Sequence, residues 1–304
     1  MGDVMVSVCV LSYNHEKCLR QCLEGIFMQK VSFPIEVRVH DDASTDRSQE
    51  IIKEYQQRYS DILKPILQSE NQFSKGGGIL NKFLLPLCEG KYIALCEGDD
   101  YWTDPLKLQK QVAFLEGHEE YSMCFHAADV KYEGGGESPY RNGTHFSDLE
   151  DREYTSTEVV SKWMVPTASI VYRRALVENY QIKHPEWLVY GDIALTLKCS
   201  HTGKIFGMSD VMSVYRIQPN SLTNNPEYVN STIFKLPNHY RCLRMNFPKV
   251  EKGPFEWCIS YYSYVCMKKQ NNPFLKLRDF FMFVWWDPKQ AVNRFKKVLQ
   301  DRMA

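Results

Sequence analysis

Tyr92-Ile93-Ala94-Leu95-Cys96-Glu97-Gly98-Asp99-Asp100 runs five apolar residues straight into three carboxylates within four positions. The apolar part reads as a strand buried on both faces, and the acids mark its carboxyl end. The same layout stands twice upstream. Val4–Leu11 is a β-branched-rich run that ends at Ser12-Tyr13-Asn14, and Ile35, Val37 and Val39 alternate after Pro34 up to Asp41-Asp42. Between these two, Leu19, Cys22, Leu23, Ile26 and Phe27 fall at i, i+3, i+4, i+7 and i+8, an apolar helix stripe. Ser44 is placed to cap a helix carrying Ile51, Ile52, Tyr55 and Tyr59, and Ile62–Leu67 is a further strand. A Gly76-Gly77-Gly78 turn then leads into a helix with Ile79, Phe83, Leu84 and Leu87. Strand and helix alternate four times in the first hundred residues, which predicts an α/β chain with a doubly wound, mostly parallel sheet. Ligands of such sheets bind beyond the carboxyl ends of the strands, so the three polar strand ends converge along one rim.

Downstream the pattern predicts a helix over 105–117, a polar surface loop from Gly134 to Asp151, a strand at Thr167–Tyr172, a short helix at Ile193–His201 and a strand at Val211–Ile217. Beyond Pro219-Asn220-Ser221 the chain turns helical, basic and aromatic. The 304 residues carry 37 basic and 37 acidic side chains, so no overall positive field exists to grip nucleic acid. That balance is uneven: residues 1–220 hold 23 basic and 31 acidic residues, and residues 221–304 hold 14 and 6. None of the ten cysteines stands in a C-x-x-C pair, and most lie in apolar runs, which points to buried thiols and a reducing compartment. The start lacks the basic segment of a signal peptide, and no apolar run reaches the roughly 18–20 residues of a spanning helix. The expectation is a cytoplasmic protein. Asn142-Gly143-Thr144 and Asn230-Ser231-Thr232 fit the glycan acceptor pattern, which matters only in a secreted chain.

A single acid after a strand is commonly a helix cap, and that reading suits Ser44 and Asp46. It suits Asp99-Asp100 poorly, because adjacent carboxylates with Glu97 beside them repel unless a cation or hydrogen-bond donors compensate. Hard oxygen ligands of this kind suit Mg²⁺ or Mn²⁺ shared with substrate phosphates.

Four motifs carry a family likeness: Val6-Ser7-Val8-Cys9-Val10-Leu11-Ser12-Tyr13-Asn14, Asp41-Asp42-Ala43-Ser44-Thr45-Asp46, Glu97-Gly98-Asp99-Asp100-Tyr101-Trp102, and Gly191-Asp192 followed by Val214-Tyr215-Arg216. In this order and spacing the sequence resembles an inverting family 2 glycosyltransferase with the GT-A nucleotide-sugar-binding fold. The resemblance covers residues 4 to about 221. It implies a catalytic domain over 1–220, with a nucleotide-sugar half to about 104 and an acceptor half over 105–220; the basic, aromatic helical region over 221–304 lies outside it. It also implies that Leu11, Ser12, Tyr13 and Asp42 hold the nucleotide base, that Asp99 lies near ribose and metal, and that Asp100 is the direct ligand of a Mn or Mg cation. Lys75 and Arg216 would contact the donor, Trp102 would offer its ring to the acceptor, and Asp192 would be the catalytic base. Three departures stand out. Glu97 replaces the first acid of the D-x-D pattern, Ala43 replaces a common Gly, and Gln218 stands where relatives often have a His. A further ligand from Gln218, His184 or His201 stays open.

The implied reaction is attack by an acceptor hydroxyl on the anomeric carbon of a nucleotide sugar, a UDP sugar being favoured. One base, no nucleophile and in-line attack imply inversion. The acceptor would be a glycan or a lipid-linked sugar in surface polysaccharide synthesis. A sugar-phosphate nucleotidyltransferase would need a Gly-rich basic loop after the first strand, and Leu11-Ser12-Tyr13-Asn14-His15 is not one. A carbohydrate-binding protein that has lost turnover is the non-enzymatic alternative, against which Asp99, Asp100 and Asp192 stand. Gly76–Gly78 lacks the Lys-Ser/Thr of a Walker loop, and His40 and His126 read as structural. For the tail, the apolar run Phe280–Trp286 lies between Lys276, Arg278, Lys289, Arg294, Lys296 and Lys297. It reads either as packing onto the acidic domain or as peripheral contact with the inner face of a membrane.

Overall fold

The computed structural model describes residues 3–76, 78–134, 146–178, 180–219, 221 and 225–294. Gly77, most of the expected 134–151 loop with its Asn142-Gly143-Thr144 pattern, Asn220, Lys296 and Lys297 lie outside the described residues.

Two compact units divide the chain. The first comprises Met1–Thr155, Lys162–Tyr180 and Lys198–Gln218, and the second Ser156–Ser161, Gln181–Leu197 and Pro219–Ala304. The first unit contains a nine-stranded sheet. Its opening half follows β1 (Val6–Ser12), α1 (Leu19–Phe27), β2 (Ile35–Asp41), α2 (Ser48–Arg58), β3 (Leu63–Leu67) and β4 (Tyr92–Glu97). Then come β5 (Tyr101–Trp102), α3 (Lys107–Gly117), β6 (Tyr121–Tyr132), β7 (Arg152–Tyr154), β8 (Val171–Arg173) and β9 (Lys204–Ile217). The strand order is β3-β2-β1-β4-β8-β6-β9-β5, with β7 on β9. The β3-β2-β1-β4 run is wholly parallel, as is the long β6–β9 pair. The antiparallel pairings of β5, β7 and β8 span only two or three residues each.

The run Val6–Val10 is buried at every position, Ser7 and Cys9 included, as a strand covered on both faces requires. On one face α1 presents Leu19, Cys22, Leu23 and Ile26 to Val8, Val10 and Ala94 in a continuous core. A Cβ on Gly25 would sit 2.6 Å from the Trp102 carbonyl oxygen, so only glycine lets α1 approach β5 this closely. All ten cysteines are buried and free of disulfides.

Several elements differ from the sequence pattern. The helix expected after the glycines is instead a π-turn at Leu80–Leu84 followed by a 3₁₀ turn at Leu85–Leu87, because Pro86 has no amide to continue an α-helix. Ser44 does not cap α2. The Asp46 carboxylate accepts from the Ser48 amide at 2.9 Å, and Ser44 is drawn into the rim described below. Of Thr167–Tyr172 only its last two residues are strand, because Thr167–Ser169 forms a 3₁₀ turn closed by Ser169 Oγ donating to the Pro166 carbonyl. The twelve-residue β6 has no counterpart in the pattern, since Ser122 and His126 interrupt its apolar run; both are buried, and Ser122 Oγ donates to the Cys199 carbonyl at 2.6 Å.

The second unit contains α4 (Ser156–Ser161), the start of α6 (Gly191–Thr202), α7 (Pro226–Ile233), α8 (Leu236–Asn246), α9 (Lys252–Lys269) and α10 (Pro273–Trp286); the short α5 (Arg174–Val177) belongs to the first. Leu243, Phe247, Phe255, Ile259 and Phe283 are buried in it. No helix among the described residues is long and apolar enough to cross a membrane.

Candidate active site

The sheet register brings the strand ends level: Ser12 faces Asp41 across β1–β2, and Leu11 faces Glu97 across β1–β4. Backbone bonds then tie the departing loops together, Asp42 N to the Ser12 carbonyl at 2.9 Å and Gly98 N to the Leu11 carbonyl at 2.8 Å. A Cβ on Gly98 would lie 2.6 Å from His15 Nδ1, so this approach needs glycine.

The loops after β1 and β2 are laced by side chains. Asn14 N donates to Ser44 Oγ, Thr45 N to Asn14 Oδ1, His15 N to Ser48 Oγ, and Glu16 N to Asp46 Oδ2, all at 2.8–2.9 Å. Asp41 accepts from Ser44 N, Ser44 Oγ and Gln49 Nε2. Asp42 is buried, and its two oxygens accept from the Gln72 and Phe73 amides at 2.7 and 3.0 Å, which anchors the next loop. Within that loop Lys75 pairs with Glu70, both exposed. Ser12 is buried, Leu11 half-buried and Tyr13 exposed beside this rim. Asn14 and Ala43 both take the left-handed conformation, with φ of 56° and 62°. For alanine that conformation is strained, so the departure from glycine at position 43 has a structural cost.

The rim of β4 is built differently. Asp100 is buried; Oδ1 accepts from the Arg216 amide at 2.8 Å, and Oδ2 has no partner among the described residues. Burial, with Asp99 and Glu97 close by, pushes its carboxyl well above the ordinary range. Asp99 is more open and faces His15, whose Nε2 is 4.0 Å from its carboxylate. The Arg216 guanidinium is buried and donates to the Asp99 carbonyl at 2.9 Å and to Gln21. It also lies 3.2 Å from Glu133 and 4.3 Å over the Tyr101 ring. It therefore grips the acidic loop from within, where the sequence reading turned it toward the donor.

Trp102, expected to offer its ring to an acceptor, is 1% exposed, and its indole nitrogen donates to the Ala168 carbonyl at 2.8 Å. The large apolar ring followed the core instead. Lys107, at the start of α3, is fully buried under that ring. Its Nζ lies 4.0 Å from the centroid and donates to Gln111 Oε1, and burial lowers it to about 7. Nothing in the sequence flags it.

Asp192 lies in the first turn of α6, in the second unit. Its Oδ1 accepts from the Ile193 amide at 2.9 Å, and burial raises its carboxyl above the ordinary value. His184 stacks on Trp187 and pairs with Glu186, while His201 stands edge-on to Tyr180. His40 and His126 are buried in the core, and burial lowers both.

The orphaned Asp100 oxygen is the observation against which a cation is tested. A buried carboxylate oxygen without a donor, beside a second carboxylate, fits an Mg²⁺ or Mn²⁺ ion. No group of three His, Cys, Asp or Glu side chains among the described residues could hold a metal alone. A cation here would draw its remaining ligands from substrate phosphates or water.

The family model described as Glycosyl transferase family 2 matches residues 7–181. The uncharacterized protein Rv1520 of Mycobacterium tuberculosis is 39% identical over 212 residues, 69% of this chain and 58% of that protein. The chain thus spans little more than half the length of that relative. The Escherichia coli UDP-Glc:alpha-D-GlcNAc-diphosphoundecaprenol beta-1,3-glucosyltransferase WfaP is 28% identical over 138 residues, 44% of this chain and 52% of that one. Among solved structures, S. aureus TarS in complex with UDP-GlcNAc superposes with a TM-score of 0.66 at 19% identity, covering 93% of this chain and 81% of that one. At that identity the likeness concerns the fold, a mixed α/β sheet of the GT-A type.

Proposed function

The chain belongs to glycosyl transferase family 2, and from that premise we propose that it is an inverting, metal-dependent glycosyltransferase. It moves a sugar from a nucleotide-sugar donor, UDP-linked by preference, to a hydroxyl of a glycan or lipid-linked acceptor in surface polysaccharide synthesis. The observation that carries this reading is Asp100: buried at the end of β4, pinned through one oxygen by the Arg216 amide, with the other oxygen unpartnered. WfaP, named as a UDP-Glc glucosyltransferase, and TarS, solved in complex with UDP-GlcNAc, support the donor class.

In this reading Asp99 and Asp100 hold the cation, which when bound neutralises the charge that develops on the leaving diphosphate. Leu11, Ser12, Tyr13 and Asp42 form the wall for base and ribose. Asp42 contributes by fixing the Gln72–Phe73 backbone, and each of its oxygens keeps a second lone pair for the base. Lys75 reaches the donor from the same loop. Arg216 is a positioning residue that holds Asp99 and Asp100 through main-chain contacts. Asp192 takes the proton of the attacking hydroxyl. Its raised carboxyl makes it a stronger base than an ordinary aspartate, and with no covalent intermediate the anomeric centre inverts. The work is placed on the cytoplasmic side, with the protein peripheral at the inner face of the membrane where a lipid-linked acceptor would lie.

The test is release of nucleoside diphosphate from UDP sugars with Mn²⁺, Mg²⁺ or chelator, with the anomeric configuration of the product read by NMR. Metal-dependent release and an inverted product are expected. Release indifferent to chelator would sink the cation assignment, and a retained configuration would sink the single-displacement chemistry.

A further inference from the structure

The apolar run of the tail is split by the structure. In α10, Phe283 is buried under Tyr264, its carbonyl accepting from Ser260 Oγ at 2.8 Å, and Trp286 lies under the Arg244 guanidinium. These contacts fasten one side of the helix to its own unit. Among the described residues nothing covers the opposite side: Phe274 is 81% exposed, Leu277 54%, Phe281 62% and Trp285 81%. With Arg278 they stand at i, i+3, i+4, i+7 and i+11, a single stripe along a 14-residue helix. Scattered exposed apolar residues need no explanation, but a contiguous aromatic stripe on a folded helix does.

Charge selects the occupant. Arg278 stands within the stripe, and exposed Lys276 and Lys289 lie close to it in sequence. The acid in α10, Asp279, is buried and paired with Arg278. A second copy of the chain docking face to face would bring Arg278 toward its own counterpart with no acid on the stripe to meet it. An anionic lipid surface meets both features, since headgroups take the cations and the acyl boundary takes the rings. A 14-residue helix is about 21 Å long, too short to span a bilayer, so it would lie in the interface plane.

We propose that the exposed face of α10 is a docking surface for an anionic membrane, entered by Phe274, Leu277, Phe281 and Trp285 and steered by Lys276, Arg278 and Lys289. This deepens the placement proposed above and rests on it only for its purpose: the measurement needs no donor and no turnover, so either reading can fail alone.

The full chain is mixed with phosphatidylcholine vesicles with and without phosphatidylglycerol, and binding is read by co-sedimentation. Binding to the phosphatidylglycerol vesicles is expected, weakening as salt rises. It should fall about tenfold or more in Phe281→Ser/Trp285→Ser. Lys276→Glu/Lys289→Glu should weaken it while leaving the apolar stripe and the thermal transition intact. Equal affinity for neutral and anionic vesicles, no binding to either, or a dimer dissolved by the same serine substitutions would each overturn the proposal.

Discussion

Two aspartates follow β2 and β4, the strands on either side of β1, and do opposite things. Asp42, after β2, has both oxygens filled by backbone amides and so ties one loop to the next. Asp100, after β4, is just as buried, but one of its oxygens has no partner and like charges sit beside it. The first carboxylate is satisfied within the fold before any ligand arrives. The second is held in a state that the fold by itself leaves unsatisfied, the usual mark of a site kept for a ligand. Acid content cannot distinguish them, because both are the second residue of an Asp-Asp pair.

The largest expected effect separates the two directly. Asp100→Asn keeps Oδ1 for the Arg216 amide and removes a buried charge, so the thermal midpoint should hold or rise while Mn²⁺-dependent donor binding and turnover disappear. An unchanged Mn²⁺ requirement would place the cation elsewhere.

A third aspartate sharpens the contrast, since Asp192 is raised by burial and is proposed to work by losing its proton. Asp192→Asn should lower turnover by about 10²–10⁴-fold with little change in donor affinity. The base must be ionised, so wild-type turnover should fall as pH drops through a value above the ordinary 3.8 of an aspartate. Equal losses in donor binding and turnover would make the residue structural.

Asp42→Ala reads out the other member of the pair. Losing the acceptor of the Gln72 and Phe73 amides should cost about 1–3 kcal/mol in urea unfolding. A variant of native stability would mean that these bonds do not hold the loop.

The smallest effect lies next door. Ala43 has φ of 62°, where an L-residue is strained, and Ala43→Gly should relieve it. Glycine's larger loss of chain entropy offsets part of the gain, leaving about 1 kcal/mol or less of stabilisation, measurable as a higher urea midpoint. Destabilisation would show that the alanine methyl packs usefully.

Much of the first hundred residues was legible because β1, β2 and β4 are buried on both faces and α1 carries a clean apolar stripe. Burial of that kind leaves a pattern that needs no partner to be read. The second half was less legible. β6 hides its strand character behind buried Ser122 and His126, whose Oγ and Nδ1 find backbone carbonyls in the folded chain. Trp102 was readable as an aromatic beside an acidic motif, and its destination was not, since that depended on Ala168 arriving from a distant part of the sequence and on Lys107 at the start of α3 coming to lie under the ring.

By itself the sequence determined the alternation of strands and helices, the level placement of polar groups at the strand ends, and the family these motifs belong to, because each rests on local spacing along one chain. Which carboxylate is satisfied and which is left waiting, that Arg216 faces inward, and which side of α10 stays bare were decided only by tertiary structure. Those outcomes depend on what comes within about 3–4 Å after folding, and hydrogen-bond satisfaction and burial are properties of that neighbourhood, not of residue type.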